Sequence, residues 1–374
     1  MNKAYQYRIY PTGEQKILID KTFGCVRFVY NQMLANRKAI YEQYKDDREA
    51  LKQQRYLLPA DFKKDYTWLK EVDSLALANA QLNLETAYKN FFRDKTIGFP
   101  KFKSKHHSRK SYTTNNQNGT IRLIDEQTIR LPKLKDVKIN LHRPLLQDAN
   151  IKSATISQSA KGNYYISILF EYEKVIEVIP PTIETTLGLD YSSKTLYVDS
   201  QGNDADYPRY YRKMEAKLKK AQRKLSRRKK GGKNREKQRK KVAKVHEKVA
   251  NQRKDFLHKQ SRQIANAYNA VAIEDLNMRS MAQCLKLAKS TNDNGYGMFR
   301  TFLAYKLTEA GKHLVIIDKW YPSSKLCRFC GNINKELTLA DRMWQCPSCS
   351  AVLDRDINAA INIKNEGCRI LGIA

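Results

Sequence analysis

Two tight cysteine pairs, Cys327-x2-Cys330 and Cys346-x2-Cys349, constrain this chain more than any other feature. Each pair sets two thiolates at a turn where they can share one ion. The fifteen residues between the pairs are long enough to fold back and complete a tetrahedron. Gly331 and Pro347 suit those turns. Zinc is the expected ion, and four thiolates leave it no open position, so its role is structural rather than catalytic. The chain has seven Cys, an odd number, and four of them are used this way. That usage points to a reducing compartment and away from a disulfide framework. Cys25, Cys284 and Cys368 receive no function.

Charge sets the second constraint. Seventy Lys and Arg against 38 Asp and Glu leave a formal +32, and such a field destabilises a compact chain by self-repulsion. A polyanionic partner is the economical reason to keep it, with nucleic acid ahead of an anionic membrane. No apolar run approaches the roughly 20 residues of a membrane-crossing helix. MNKAYQYRIYP lacks the apolar stretch of a secretory signal. At 374 residues with 41% hydrophobic content, the chain can form two or three domains, each with a core.

The periodicity changes along the chain. The first ten residues alternate like a strand. Thr12 then opens a helix, with Gln15 three residues on as in a capping box and Ile19, Phe23, Val26, Tyr30 and Met33 on one face. Ser74 opens a second helix carrying Leu77, Ala80, Leu84, Ala87 and Phe91. A basic stretch follows Gly98-Phe99-Pro100: Lys101, Lys103, Lys105, Arg109 and Lys110, interleaved with Phe102 and Tyr112. From about 119 to 174 the period is two. That predicts about five short strands and a small, partly closed β-barrel. Residues 175–184 carry a Pro pair and suggest a linker. Residues 212–254 hold 21 Lys and Arg against Glu215, Glu236 and Glu247, a local excess of +18. Apolar stripes (Met214, Leu218, Ala221, Leu225; Val242, Val245, Val249) on either side of Gly231-Gly232 predict a basic helical hairpin. One face would be packed and the other left for phosphates, with Arg223, Arg227 and Arg228 among the candidates.

Three carboxylates stand in separate segments. Asp190 ends the apolar run LGLD, Glu274 ends VAIE, and Asp354 and Asp356 lie in LDRDINAA at the start of the last helix. Taken singly, each has an ordinary structural use as a turn former or helix N-terminal anion. Together they imply more, because a carboxylate beside a hydrophobic strand is costly to bury unless it is paired or bound to metal. Oxygen donors with few His select Mg²⁺ or Mn²⁺. Two such ions make a phosphodiester-cutting arrangement.

GLDYSSK, AIEDLNM, the CxxC…CxxC insertion and DRDINAA together resemble the RuvC-type nuclease half of transposon-encoded TnpB proteins, compact relatives of type V CRISPR effectors. AYQYRIYPTGEQ and GFPKFKSK extend the resemblance over nearly the whole chain. One difference is Tyr191-Ser192-Ser193, where the family has a Gly soon after the aspartate.

The resemblance implies an α+β multidomain fold. A β-barrel wedge domain would span 1–11 and 113–182, and a helical recognition domain 12–112. A RuvC-like, RNase H-like α/β nuclease domain would span 183–374, with the basic hairpin at about 208–265 and a zinc ribbon at about 322–352. It also implies that Asp190, Glu274 and Asp356 are the catalytic, magnesium-binding acids, with Asp354 as the alternative third, and that Cys327, Cys330, Cys346 and Cys349 hold zinc. The implied partners are a guide RNA from the transposon end and double-stranded DNA beside a short adjacent motif, in the prokaryotic cytosol, with no membrane. Base pairing with a guide reads sequence, so such a protein mainly needs backbone contacts spread over several domains. The stretch 99–112 is the candidate for touching the motif-bearing DNA.

Three rivals remain. A nuclease-inactive RNA-guided regulator would lose a catalytic acid, and all are present. A transposase acting in strand transfer would need a nucleophilic Tyr with paired His, whereas His106-His107 sits in a basic loop. A plain zinc-ribbon RNA-binding protein would leave the acids at the apolar runs unexplained.

Overall fold

The computed structural model describes residues 1–146, 148–284, 287–338 and 340–374, without the side chain of Cys284. The chain divides into two compact units, 1–174 and 175–374.

In the first unit, β1 (Asn2–Tyr10) runs into α1 (Gly13–Tyr44). Thr12 Oγ1 accepts the Gln15 N–H at 3.3 Å while the Gln15 side chain accepts the Thr12 N–H at 3.0 Å, so the capping box closes. Ile19, Phe23, Val26, Tyr30 and Met33 are all buried. After the short helices α2 (Arg48–Gln53) and α3 (Pro59–Asp65), α4 (Ser74–Arg93) lays Leu77, Ala80 and Leu84 into the same core. Six more strands follow: β2 (Ser111–Asn115), β3 (Arg122–Asp125), β4 (Thr128–Leu131), β5 (Lys135–Asn140), β6 (Asn150–Gln158) and β7 (Tyr164–Glu171). With β1 they make one antiparallel sheet, ordered β2-β6-β7-β1-β5-β4-β3.

The sheet keeps two edges, β2 and β3, with no strand pairing between them among the described residues. The helices and the sheet also share one continuous core, where Tyr7, Ile9, Ile166 and Ile168 of the sheet join Met33 and Leu84 of the helices. Helical periodicity shows that one face is buried but not against what, so the shared core was not visible in the sequence.

The second unit opens with β8 (Thr186–Ser192) and β9 (Leu196–Asp199), then the helical pair α5 (Tyr210–Ser226) and α6 (Lys233–Ala267). Next come β10 (Ala270–Glu274), α7 (Met278–Cys284), α8 (Ala288–Asn294), α9 (Tyr296–Glu309) and β11 (His313–Ile317). A small hairpin of β12 (Met343–Gln345) and β13 (Val352–Asp354) leads directly into α10 (Arg355–Leu371). Residues 175–184 are tied down, since the Ile179 N–H donates to Gly311 O at 2.8 Å.

The sheet is mixed, in the order β11-β10-β8-β9, with β9 antiparallel and the rest parallel. Strand alternation sorts its faces. Leu187, Leu189, Val271 and Ile273 bury with Leu257 and Ile264 of α6 and Phe299 and Leu303 of α9. Ala272, Val315 and Ile317 point the other way and bury with Ile363 of α10. On that second face α10 comes very near. A Cβ built on Gly188 would lie 2.0 Å from the Ala360 carbonyl oxygen, and one on Gly367 would lie 2.5 Å from the Ala272 Cβ. Small residues at these points let α10 lie flat on β8 and β10.

Among the described residues no helix is long and apolar enough to cross a membrane.

Gly188→Ala is therefore expected to push α10 off the sheet and cost about 1–3 kcal/mol of stability by overpacking. Gly297→Ala, where an added Cβ meets nothing within 4 Å, is expected to be neutral or slightly stabilising. Denaturant midpoints of the two variants against the parent chain test the contrast.

Candidate functional site

Leu189 and Ile273 are paired across β8 and β10, so Asp190 and Glu274, the next residues, lie side by side at the carboxyl ends of neighbouring parallel strands. That edge is where open α/β sheets usually place a ligand. Burial pushes the Asp190 carboxyl well above the usual carboxylate range. The charges of Glu274 and Asp356 push the same way, while Arg355 and the Tyr191 N–H oppose them. Burial also raises Glu274, and the Ser323 hydroxyl, donating to its Oε1 at 2.6 Å, partly counters that.

The third acid is differently held. Asp356 sits in the first turn of α10. Arg342 Nη1 reaches its Oδ2 at 2.7 Å and Arg355 Nη2 its Oδ1 at 3.0 Å, so both oxygens are engaged by guanidinium groups. Asp354 is the N-cap of the same helix, with its Oδ1 accepting the N–H groups of Asp356 and Ile357 at 3.0 and 2.9 Å. The three carboxylates are thus neighbours in charge but do not meet at one common point. Among the described residues, only the four cysteines form a group of three or more Cys, His, Asp or Glu whose ligand atoms lie within 4.8 Å of one another. Two half-buried carboxylates held toward their neutral form, offering oxygen donors side by side, nonetheless fit a hard divalent cation.

Several supporting residues were not evident in the sequence. Asn362 Nδ2 donates to Ser323 O at 2.8 Å and Leu326 O at 2.6 Å, and Asn358 Nδ2 donates to Leu326 O at 2.7 Å. These two Asn stand four residues apart on α10 and tie it to the segment carrying Ser323. Two buried amides on an otherwise apolar helix face were the available signal. Tyr296 is buried against the Asp190 side, and its hydroxyl has no hydrogen-bond partner among the described residues.

At the cysteine site, Cys327 Sγ and Cys349 Sγ are 3.7 Å apart and Cys330 Sγ and Cys346 Sγ are 3.5 Å apart. A tetrahedron with Zn–S bonds of about 2.3 Å has edges of about 3.8 Å, so the spacing fits zinc. Backbone N–H groups of Cys349 and Ser348 point at the Cys346 sulfur and lower its thiol, while the neighbouring thiols raise that of Cys349, so the first thiolate of the cluster forms at Cys346. Trp344, Leu337 and Leu353 form a small core beneath Cys327 and Cys346. Since Leu353 precedes Asp354, the ribbon core and the start of α10 are one continuous piece of chain.

The basic candidates are spread out. Lys101, Lys105, Arg109 and Lys110 are exposed, whereas Lys103 is partly buried with its ammonium 3.9 Å from the centre of the Tyr30 ring. Arg223, Arg227 and Arg228 are exposed at the end of α5 and just beyond it.

Comparisons with known proteins agree in direction. Family profiles match residues 167–285 ("Probable transposase"), 296–363 ("Cas12f1-like, TNB domain") and 1–46 ("Helix-turn-helix domain"). Residues 1–46 here form one strand and one uninterrupted helix, so the last description does not fit their geometry. Two relatives carry the name "Putative RNA-guided DNA endonuclease". One, from Streptomyces pristinaespiralis, is 37% identical over 98% of this chain and 90% of its own. The other, InsQ of Escherichia coli K12, is 30% identical over 99% and 93%. In fold, the chain is similar to Cas12f1 from a cryo-EM complex with sgRNA and target DNA, with TM-score 0.59, 12% identity, and 98% and 99% of the two chains covered.

Two outcomes follow from the site. Cys346→Ser is expected to abolish stoichiometric zinc, read by elemental analysis of the purified chain. Because the folded pKa of Asp190 lies above its unfolded value near 3.8, the unfolded chain releases that proton first as pH rises. The metal-free chain then loses stability from about pH 4 upward. Asp190→Asn is expected to raise the metal-free melting temperature at pH 7 and to leave it unchanged at pH 3.

Proposed function

The chain belongs to the TnpB family of transposon-encoded proteins, and from that premise we propose that it is an RNA-guided DNA endonuclease. The observation carrying this reading is the pair of half-buried carboxylates, Asp190 and Glu274, side by side on neighbouring strands, with Asp356 in their field. An apolar sheet does not retain such a pair cheaply, and a divalent cation is the usual remedy. Mg²⁺ or Mn²⁺ held by Asp190, Glu274 and Asp356 would supply the Lewis acidity that steadies the attacking and leaving oxygens of a phosphodiester. Asp356 is favoured over Asp354 as the third acid, because Asp190 feels its charge and because Asp354 is committed to capping α10.

The chain's own groups prepare this site. Ser323 fixes one oxygen of Glu274. Asn358 and Asn362 lock α10 to the segment that follows β11. Arg342 and Arg355 neutralise Asp356 until it is needed as a ligand. Zinc at Cys327, Cys330, Cys346 and Cys349 would shape the ribbon that carries Arg342. The partners are a guide RNA copied from the transposon end and double-stranded DNA bearing a short adjacent motif, with Lys101, Lys105, Arg109 and Lys110 contacting the DNA backbone. The field of +32 suits a chain that grips phosphates while base pairing reads sequence. The setting is the prokaryotic cytosol.

Asp190→Ala or Glu274→Ala is expected to reduce guided cleavage of duplex DNA to background while guide-RNA affinity stays at the parent level. Chelation with EDTA should stop the parent chain in the same assay. Equal loss of RNA binding and cutting, or cutting that persists in EDTA, would refute the reading.

A further inference from the structure

Helices α5 and α6 enclose a groove of about 520 Å³ whose walls are lysine on both sides. Lys217, Lys220 and Lys224 stand on α5, and Lys241, Lys244 and Lys248 on α6. The spacing is three and four residues in each helix, which puts each set on one face. All six are exposed, while Met214 and Val245 form an apolar floor for their stems. None of the six has a carboxylate within 4.0 Å among the described residues. Of the three acids in residues 212–254, Glu215 pairs with Lys219 and Lys289 and Glu236 with Arg239, which leaves Glu247, between Lys244 and Lys248 in sequence, set against the six lysines.

Two rows of like charge facing each other oppose the packing of α5 on α6. Yet the helices are held together by Leu218, Val245 and Val249, and by Gln238 Nε2 donating to Ala221 O at 3.0 Å. We propose that this groove is a seat for the sugar–phosphate backbone of the guide RNA. Helices in contact lie only 8–10 Å apart, so the groove admits a single strand's backbone rather than a whole duplex. Charge of this density, paired with no carboxylate, attracts a polyanion and gains by releasing its counterions. In an RNA-guided protein the RNA stays bound while DNA only visits, which assigns the groove to RNA. The inference rests on the proposed function for the identity of that polyanion.

The test uses the full chain, a fluorescent mixed-sequence single-stranded RNA of 40 nucleotides and a DNA duplex of the same length. Lys217, Lys220, Lys241 and Lys244 are changed together to Gln. The slope of log K against log salt for RNA is expected to become shallower by about 3, at about 0.7 for each phosphate no longer neutralised. The RNA-free melting temperature should not fall, because repulsion is relieved. Gln at Lys229, Lys230, Lys237 and Lys240, exposed on the hairpin outside the groove, should cost less. An unchanged RNA slope, equal losses from both sets, loss confined to duplex DNA, or a parent chain that binds no RNA would each overturn the inference. Guided cleavage by the parent chain, measured separately, tests the nuclease reading itself. If RNA binding shows the expected slope change but cleavage is absent, the nuclease reading fails and the groove stands.

Discussion

The second unit depends on one close approach: the backbone of α10 lies against β8 and β10 where Gly188 and Gly367 carry no side chain and Ala272 carries only a methyl group. Dispersion and apolar burial across that contact fix the helix in both height and rotation. From that placement follow the position of Asp356 beside Asp190, the Asn358 and Asn362 clamps, and the entry of the cysteine ribbon through β13. The carboxylates are held by a rigid helix and two central strands, which is the support that a preorganised site requires.

The acids and the ribbon divide the chemistry between them. Soft sulfur donors at tetrahedral spacing and hard oxygen donors at the sheet edge select different ions, so one chain can hold both without exchange. The link between them is physical. Arg342 comes from the ribbon's own hairpin and contacts the acid at the start of α10. Whatever loosens the ribbon also changes the electrostatic setting of Asp356.

Much of this was legible in the residues. The capping box at Thr12 and Gln15, the stripe on α1, the glycine pair between α5 and α6, and the apolar runs leading to Asp190 and Glu274 are local signals, and each reports its element directly. The cysteine spacing likewise revealed its cluster. What escaped was set by partners remote in sequence. The edges of the seven-stranded sheet depend on strand order, which alternation does not encode. The engagement of Asp356 by Arg342 joins residues 14 apart through the fold of the ribbon. Gly188 and Gly367 read as ordinary small residues until the neighbouring backbone is seen.

Asp190, Glu274 and Asp356 are expected to share divalent cations when the chain holds its nucleic acids. A crystal of the chain with guide RNA and target DNA, grown in Mn²⁺ and measured for anomalous scattering, addresses it directly. Manganese peaks are expected about 2.1–2.2 Å from oxygens of all three carboxylates, with Arg342 released from Asp356. Peaks absent from the sheet edge, with Asp356 still clasped by both arginines, would contradict it.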